Sequence, residues 1–418
     1  MRVAYLANSY PEAVESYVWE EIAELRRQSA MVVACSVKHP GTPPRGASGL
    51  IAETRYVLPL NLWDSLRAGL LLLSRLLLIR DLVRRVVFGP ESFSKKIRAL
   101  AHTWLGAYLA LRLRDFRPEH IHVHHGYFAS WMGMVAARLS GAAFTMTLHG
   151  SDLLVRADYL DVKLANCAQC FTVSEFNRRY LLDHYPQLGA ERVVVRRMGI
   201  NPSEWKPVAH ESGQGAFRIA CVGRLHAVKN HAFLLLACRT LKDSGLDFEC
   251  LIAGEGEEHK RIEYLIRVLG LQRHVRLLGH VARSDLPSLY AQTDVVVLTS
   301  RSEGVPVTLM EAMAMERTVV APNITGIQEL VIPGKTGFLY RPNSIEDFVV
   351  QLNVALHSSR LSRARGIAAR QHVLDHFNGP KNTAQFAEQF PGGVRPERPQ
   401  TVPAAAPETH ENPVLQQI

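Results

Sequence analysis

Short apolar runs rich in β-branched residues alternate with longer stretches of helical periodicity, and this alternation occurs twice along the chain. The first series has strand-like runs at 3–7, 31–37, 121–124, 144–149, 171–173 and 193–195. The second begins at Phe217-Arg218-Ile219-Ala220-Cys221-Val222-Gly223 and continues at 248–253, 275–278, 295–298 and 319–321. A short run that is apolar on both faces suits a strand buried in a parallel sheet, and the intervening helical stretches supply the crossovers such a sheet needs. The pattern predicts an α/β chain of two Rossmann-like, doubly wound parallel-sheet domains facing a cleft. Pro202, Pro207 and the polar run 210–215 mark the boundary, giving an N-terminal domain over 1–205 and a C-terminal domain over 206–390. From 391 to 418 the chain is rich in Pro, Ala and Gln and poor in large apolar residues, the composition of a disordered tail.

One stretch does not fit a simple crossover. Residues 62–115 carry leucines at helical spacing interleaved with Arg67, Arg75, Arg80, Arg84, Arg85, Lys95, Lys96 and Arg98. Two readings stand: helices that lie on an anionic lipid surface, or helices that cover the sheet and turn a basic face to solvent. Its most apolar part, 70–79, is broken by Ser74 and Arg75 and falls short of the roughly 20 residues a membrane span requires. The N-terminus, with a single early Arg2 and Pro11 soon after, reads as a first strand and not as a signal peptide.

At 418 residues the chain is too long for one ordinary core, and 47% apolar with 21% charged residues is the balance of a soluble globular enzyme. The net charge of +9 favours anionic ligands or an anionic membrane surface, and no nucleic-acid signature accompanies it. Six cysteines in a chain of this length do not make a disulfide framework, which fits a reducing, cytoplasmic compartment. The lone Cys167-Ala168-Gln169-Cys170 has no second pair at metal-ligand spacing, so core packing is the simpler reading. His120, His122 and His124 share one face of a strand, but no carboxylate or cysteine sits at suggestive spacing, and no metal is expected.

The candidate chemistry concentrates in 302–314, where Glu303 and Glu311 straddle the start of a helix that follows the strand Asp294-Val295-Val296-Val297-Leu298. With Pro306 tolerated in a first turn, the helix is predicted to begin near Val305. Its unpaired N–H groups and positive dipole end suit a phosphate, while carboxylates accept sugar hydroxyls. Glycoside hydrolysis needs two carboxyl groups roughly 5–9.5 Å apart across one bond, whereas eight helical residues rise about 12 Å. That spacing favours holding two parts of an extended ligand, with two solvated helix glutamates as the plain alternative.

These residues resemble glycosyltransferase family 4, retaining enzymes of the GT-B fold with an E-x7-E signature, and the match runs over most of 1–385. Gly223-Arg224-Leu225 followed by Lys229 is similar to the family's G-R-L…K element, which implies that Gly223, Arg224 and Lys229 bind the donor diphosphate. Gly254-Glu255-Gly256 resembles its G-x-G turn, where missing side chains permit close backbone approach. By resemblance Glu303 contacts the donor sugar and Glu311 the ribose, with Gly304 and Val305 in the same donor-binding segment. His149-Gly150-Ser151-Asp152 resembles the H-x-x-D segment at the acceptor side, which implies that His149 lies near donor sugar and acceptor with Asp152 beside it.

The opening Pro11-Glu12-Ala13-Val14-Glu15-Ser16-Tyr17-Val18, with Glu15 on the acceptor side, is similar to that of bacterial exopolysaccharide transferases of the colanic-acid type. So are 120–126 and 173–181. Some positions depart from the pattern: Glu316-Arg317-Thr318 stands for G-x-P after the signature helix, and Met198-Gly199-Ile200 for N-G-V at the hinge. Glu316 replaces a helix-ending glycine, which costs about 1 kcal/mol if the position needs positive φ.

The resemblance implies a retaining hexosyltransferase moving a sugar from a nucleoside-diphosphate donor to a lipid-linked or growing glycan in bacterial surface-polysaccharide synthesis. It implies a cytoplasmic enzyme, peripheral on the inner membrane if 62–115 touches lipid, with the nucleotide sugar as co-substrate and no metal cofactor. His149, Arg224, Lys229 and Glu303 would be its catalytic residues. A GT-B epimerase and a non-catalytic assembly subunit share the fold, whereas a Rossmann dehydrogenase lacks support because Ala7-Asn8-Ser9-Tyr10-Pro11 has no G-x-G-x-x-G.

Overall fold

Residues 1–12, 15–41, 43, 44, 46–154, 157–208 and 215–390 are described by the computed structural model of the chain. Most of the polar run at 210–215 and the tail expected at 391–418 lie outside these residues. The chain divides into two units, Met1–Arg196 with the segment starting at Thr383, and Arg197–Asn382. The expected boundary at 205 therefore moves to Arg196, and the residues from 383 to 390 fold with the N-terminal unit, not with a 206–390 domain. Arg196 donates from a guanidinium nitrogen to Thr383 Oγ1 at 2.9 Å, and Phe386 and Phe390 pack on Phe171 and His122.

The N-terminal unit is a seven-stranded parallel sheet in the order β3-β2-β1-β4-β5-β6-β7. Its strands are β1 (Arg2–Ser9), β2 (Met31–Lys38), β3 (Arg55–Tyr56), β4 (His120–His124), β5 (Ala143–Leu148), β6 (Gln169–Thr172) and β7 (Val193–Val195). The two-residue β3 has no hydrophobic run of its own and was not legible from pattern. β1 lies inside the sheet, paired with β2 on one side and the central β4 on the other, so the chain changes direction across the sheet between β1 and β4. In such sheets ligands gather outside the carboxyl ends of the strands at that switch. The helices Phe93–Arg112 and Phe128–Ser140 pack closely because Gly106 has no Cβ, which would otherwise meet Val135 at 2.7 Å.

The helices Leu62–Ser74 and Leu76–Phe88 do not simply cover the sheet. The first buries only Ala68 and leaves Leu62, Trp63, Leu66, Leu70 and Leu73 exposed. The second buries Ile79, Leu82 and Val86 but turns Leu77 out at 84% exposure and Phe88 at 81%. What faces water is thus apolar as well as basic, contrary to the reading of a purely solvated basic face. No helix among the described residues is long and apolar enough to cross a membrane.

The C-terminal unit is a six-stranded parallel sheet in the order β10-β9-β8-β11-β12-β13. The strands are β8 (Phe217–Val222), β9 (Phe248–Ala253), β10 (Val275–Gly279), β11 (Val295–Val297), β12 (Thr318–Pro322) and β13 (Phe338–Tyr340). Here the switch lies between β8 and β11. β13 was not among the strand runs expected from the sequence; its Phe338 and Tyr340 lie in the core with Phe233 and Phe348. In the Met198-Gly199-Ile200 segment, a Cβ on Gly199 would fall on the carbonyl oxygen of Phe377, so the glycine permits the pairing of Ile200 with Asn378.

Candidate functional site

Every donor-side residue expected from sequence lies in the C-terminal unit, on the segments leaving the carboxyl ends of β8, β9 and β11, with Glu311 in the helix that follows β11. After β8 the chain runs through Gly223-Arg224-Leu225 into the single 3-10 turn Ala227–Lys229, capped by His226, whose ring nitrogen accepts the Val228 N–H at 3.2 Å. Asn230 then takes a left-handed conformation, φ 53°, which turns the chain into the helix His231–Asp243. This turn is tied to the segment after β11: Thr299 Oγ1 donates to the Lys229 carbonyl at 3.0 Å, and the Arg301 N–H to the Val228 carbonyl at 2.9 Å.

That stitching places Lys229 Nζ 2.5 Å from Glu303 Oε1. Ser300 Oγ donates to the same oxygen at 2.5 Å. Glu303 is therefore held by one oxygen only, and Oε2 takes no partner among the described residues. Arg224 is exposed and makes no ion pair among them. The backbone N–H groups of Gly304 and Val305 are likewise unpaired there. The helix itself spans Val307–Ala314 with Pro306 as its N-cap residue, so it starts two residues later than Val305, because Pro306 adopts an extended ψ of 116°. Val305 is half-buried against the core beneath.

The glycines act on protein and not only on ligand. Gly254 and Gly256 have φ of 149° and 159°, and a Cβ on either would fall on the carbonyl oxygens of Gly223 and Leu225 respectively. Close approach at the G-x-G turn is thus first an approach to the β8 loop. Gly326, φ 85°, does the same for the other side: its Cβ would collide with the carbonyls of Glu303 and Gly304. Gly223 and Gly304 have no such constraint, with nothing nearer than 3.8 Å to a Cβ at the first and nothing within 4 Å at the second.

Glu311 is neither solvated nor paired with Glu303's partners. Its side chain is 3% exposed, receives the Tyr290 hydroxyl at 3.1 Å and lies 3.4 Å from Arg283. Burial pushes its carboxyl up to about 7 even though Arg283 and Tyr290 pull it down. The two glutamates of the motif thus sit in separate settings, one anchored by lysine, the other by tyrosine and arginine. The helical turn that ends this segment closes through Glu316 at φ 60°, so the position does require the conformation a glycine would supply.

The acceptor-side residues lie in the N-terminal unit, and the structure brings all three of them together. His149 follows β5; Glu15 precedes the helix Ser16–Arg27 and its carboxylate lies 3.2 Å from His125 Nε2. The rings of His125 and His149 are 4.3 Å apart. Asp152 is fully buried and spends its oxygens on the backbone N–H groups of Gly126, His149 and Gly150, at 2.8 to 3.3 Å. It shapes the loop that carries His149 and leaves no oxygen for a ligand.

Sequence reasoning missed what stands behind His149. Its Nε2 lies 2.9 Å from His124 Nδ1, and His124 Nε2 lies 2.9 Å from Glu21 Oε2. Tyr5 bonds both Glu21 and His124, and Arg196 pairs with Glu21 Oε1 at 3.0 Å. Glu21 thus supplies the carboxylate whose absence from the strand had set a metal aside: ligand atoms of Glu21, His122 and His124 lie within 4.8 Å of one another. The donor set nevertheless fits hydrogen bonding better than a cation. The Arg196 guanidinium already faces Glu21, and both ring nitrogens of His122 are taken by Thr145 and Thr147, at 2.8 and 3.2 Å. The i, i+4 spacing of Tyr17 and Glu21 on the helix Ser16–Arg27 was the one available signal, and it does not by itself name the strand it faces. The cysteines are all free and buried, and burial pushes the Cys167 thiol up to about 12, away from redox chemistry.

Solved structures of low identity share this architecture. Anabaena HepE, determined with UDP and glucose, is 20% identical with a TM-score of 0.65, over 93% of this chain and 98% of its own. Two doubly wound parallel sheets with that likeness define a protein of the GT-B fold. The model "Glycosyltransferase Family 4" matches residues 14–204 and "Glycosyl transferases group 1" matches 204–372. The chain belongs to glycosyltransferase family 4 and is a glycosyltransferase. Among its relatives, the amylovoran biosynthesis glycosyltransferase AmsK of Erwinia amylovora is 28% identical over 306 residues, 68% of this chain and 72% of its own. WcaL of Escherichia coli K12, named for colanic acid biosynthesis, is 33% identical over 159 residues, 37% of this chain and 39% of its own. The expected likeness to exopolysaccharide transferases is therefore found.

Proposed function

We propose that this protein is a retaining glycosyltransferase that moves a hexose from a nucleoside-diphosphate sugar onto a lipid-linked or growing glycan in polysaccharide synthesis. The observation that carries the reading is Glu303, anchored through Oε1 by Lys229 and Ser300 with Oε2 left open. An open, oriented carboxylate oxygen receives sugar hydroxyls. The remaining protons of Lys229, the unpaired Arg224 and the N–H groups of Gly304 and Val305 meet a diphosphate. As the donor's glycosidic bond breaks, negative charge grows on the leaving diphosphate, and these donors stabilise it without a divalent metal. Glu311, with Tyr290 and Arg283, takes the ribose.

Relatives named for amylovoran and colanic acid synthesis, and a GT-B neighbour solved with UDP and glucose, support the substrate class. The apolar surface of the helices Leu62–Ser74 and Leu76–Phe88, with Arg67, Arg80 and Arg84 among its leucines, supports a peripheral position on the cytoplasmic face of the inner membrane, where a lipid-linked acceptor would be met. Beside it, a cavity of about 950 Å³ lined by Arg98, His102, Tyr127, Phe128 and Lys163 offers room for the acceptor's head.

The test is a thermal-shift screen against UDP-, GDP- and ADP-sugars with and without EDTA, followed by transfer assays with the stabilising donor. Stabilisation that survives EDTA, with a glycosylated product of retained configuration, is expected. Donor consumption without a glycosylated product would point to an epimerase instead.

A further inference from the structure

We propose that Glu21 and His124 are positioning residues that fix the tautomer of His149, holding its proton on Nε2 and leaving Nδ1 as a lone-pair acceptor for a hydroxyl of the bound sugar. The proposal rests on the reading that places His149 at the substrates.

Tyr5, Glu21, His124 and His149 form one unbroken chain of short contacts drawn from β1, the helix Ser16–Arg27, β4 and the loop after β5. Burial and the neighbouring Glu21 hold the Tyr5 hydroxyl well above its ordinary range, so it keeps its proton. Burial opposes ionisation of Glu21, but the Arg196 charge and the hydrogen bonds from His124 and Tyr5 outweigh it and hold the carboxyl below its usual value.

Tyr5 has one proton, and it lies on the contact with Glu21. His124 Nε2, 2.6 Å from the Tyr5 oxygen and 2.9 Å from Glu21 Oε2, faces two oxygens with no proton left to offer it, so the ring nitrogen must be the donor. Arg196 already pairs with the Glu21 carboxylate, so a second cation in this fully buried cluster would have no counter-charge, and His124 brings a single ring proton. Its Nδ1 is then a lone pair, and the 2.9 Å contact to His149 Nε2 requires the proton on His149. His149 carries only that proton: burial above all holds its ring well below the ordinary histidine range. Nδ1 of His149 has no partner among the described residues. A carboxylate that fixes a histidine's tautomer in this way acts through orientation, as in a hydrolase triad.

The experiment reads the ring nitrogens of His149 by NMR in the full-length protein labelled at histidine, with the resonance assigned by its loss in His149→Gln. Neutral His149 protonated at Nε2 is expected. A proton on Nδ1, or an imidazolium at neutral pH, overturns the proposal in the wild-type spectrum alone, whether or not any variant folds. In Glu21→Gln the amide oxygen turns to Arg196 and the NH2 to His124, which reverses both tautomers, so the His149 proton should move to Nδ1. Transfer in that variant should fall in kcat by at least about tenfold with the donor KM within about twofold. A folded Glu21→Gln that keeps the wild-type tautomer overturns the relay. A correct tautomer in a protein that transfers nothing would leave the relay standing and sink the functional reading instead.

Discussion

The two polar clusters of this molecule are built in opposite ways. In the C-terminal unit Lys229 and Glu303 meet on loops, with side chains 20% and 11% exposed, and each retains hydrogen-bonding capacity that a ligand would use. In the N-terminal unit Glu21 and His124 meet with both side chains at 0% exposure, and their bonds go to one another and to Tyr5, Arg196 and His149. An exposed pair can exchange partners when an anion arrives. A buried one cannot, because removing a partner leaves a polar group with nothing to replace it. The first cluster is suited to gripping a substrate and the second to holding a geometry.

The sharpest way to break this contrast is to remove the open carboxylate. Glu303→Gln and Lys229→Ala should each lower kcat/KM about a hundredfold, the scale on which a single charged contact to developing transition-state charge acts, while the melting temperature stays near wild type. Steady-state transfer assays read the first quantity and scanning fluorimetry the second. Equal losses of activity and stability would mean that the loop pair is structural after all.

Glu311 tests the same contrast inside the C-terminal unit, since it is a buried carboxyl among exposed ones. Its folded value is raised from an ordinary 4.5 to about 7. Below that window both states hold the proton. Within it the unfolded chain ionises and the folded one does not, so this group's contribution to stability falls as pH rises toward 7 and then levels off. The whole shift corresponds to at most ~3 kcal/mol. Melting temperatures of Glu311→Gln and wild type, compared from pH 4.5 to 7.5, should diverge in the variant's favour as pH rises. A constant difference would show that Glu311 titrates normally.

Most of the C-terminal site was legible because its parts lie in contiguous motifs. Gly223 to Lys229, Gly254 to Gly256 and Glu303 to Glu311 each fall on one loop or loop-to-helix segment, and the apolar runs before them mark the strands that place those segments on one sheet edge. What the pattern did not carry was the reason for two of the glycines, which is contact with Gly223 and Leu225 and not with a ligand. The N-terminal cluster was half legible. His149 and Glu15 announce themselves, but Glu21 and Arg196 stand 128 and 47 residues from His149 in the chain, and only sheet order brings them to it. Tertiary pairing of buried polar groups leaves no periodic trace, and β3 was missed for a related reason: its two residues, Arg55 and Tyr56, are too few to show a period.

Gly254 and Gly304 differ in what a Cβ would meet. Gly254→Ala places a Cβ on the Gly223 carbonyl at a φ that L residues rarely adopt, and should destabilise by about 2 kcal/mol or more. Gly304→Ala has open space around it and no unusual φ, so its cost should stay within about 0.5 kcal/mol. Chemical denaturation of the two variants separates strain from mere loss of glycine. Similar values would mean that the loop after β8 moves aside at little cost.

The smallest effect concerns the end of the signature helix. Glu316 adopts φ 60° where its relatives' pattern has glycine, and the helix Val307–Ala314 closes through it with the Glu316 N–H on the Met313 carbonyl at 3.0 Å and the Arg317 N–H on the Ala312 carbonyl at 2.9 Å. The backbone there is fixed from the far side as well, since Gly366 lies so close that its Cβ would fall on the Glu316 carbonyl oxygen. The turn therefore cannot relax to a conformation that suits glutamate, and the residue carries the left-handed cost continuously. Glu316→Gly removes that cost but adds freedom to the unfolded chain, two terms of similar size and opposite sign. Because a non-glycine residue at a helix C′ position bears roughly 1 kcal/mol of strain, the strain term should win, with a net gain of about 0.5–1 kcal/mol. Denaturant midpoints at constant m-value measure it. A loss of stability would show that the Glu316 side chain makes a contact worth more than the left-handed strain.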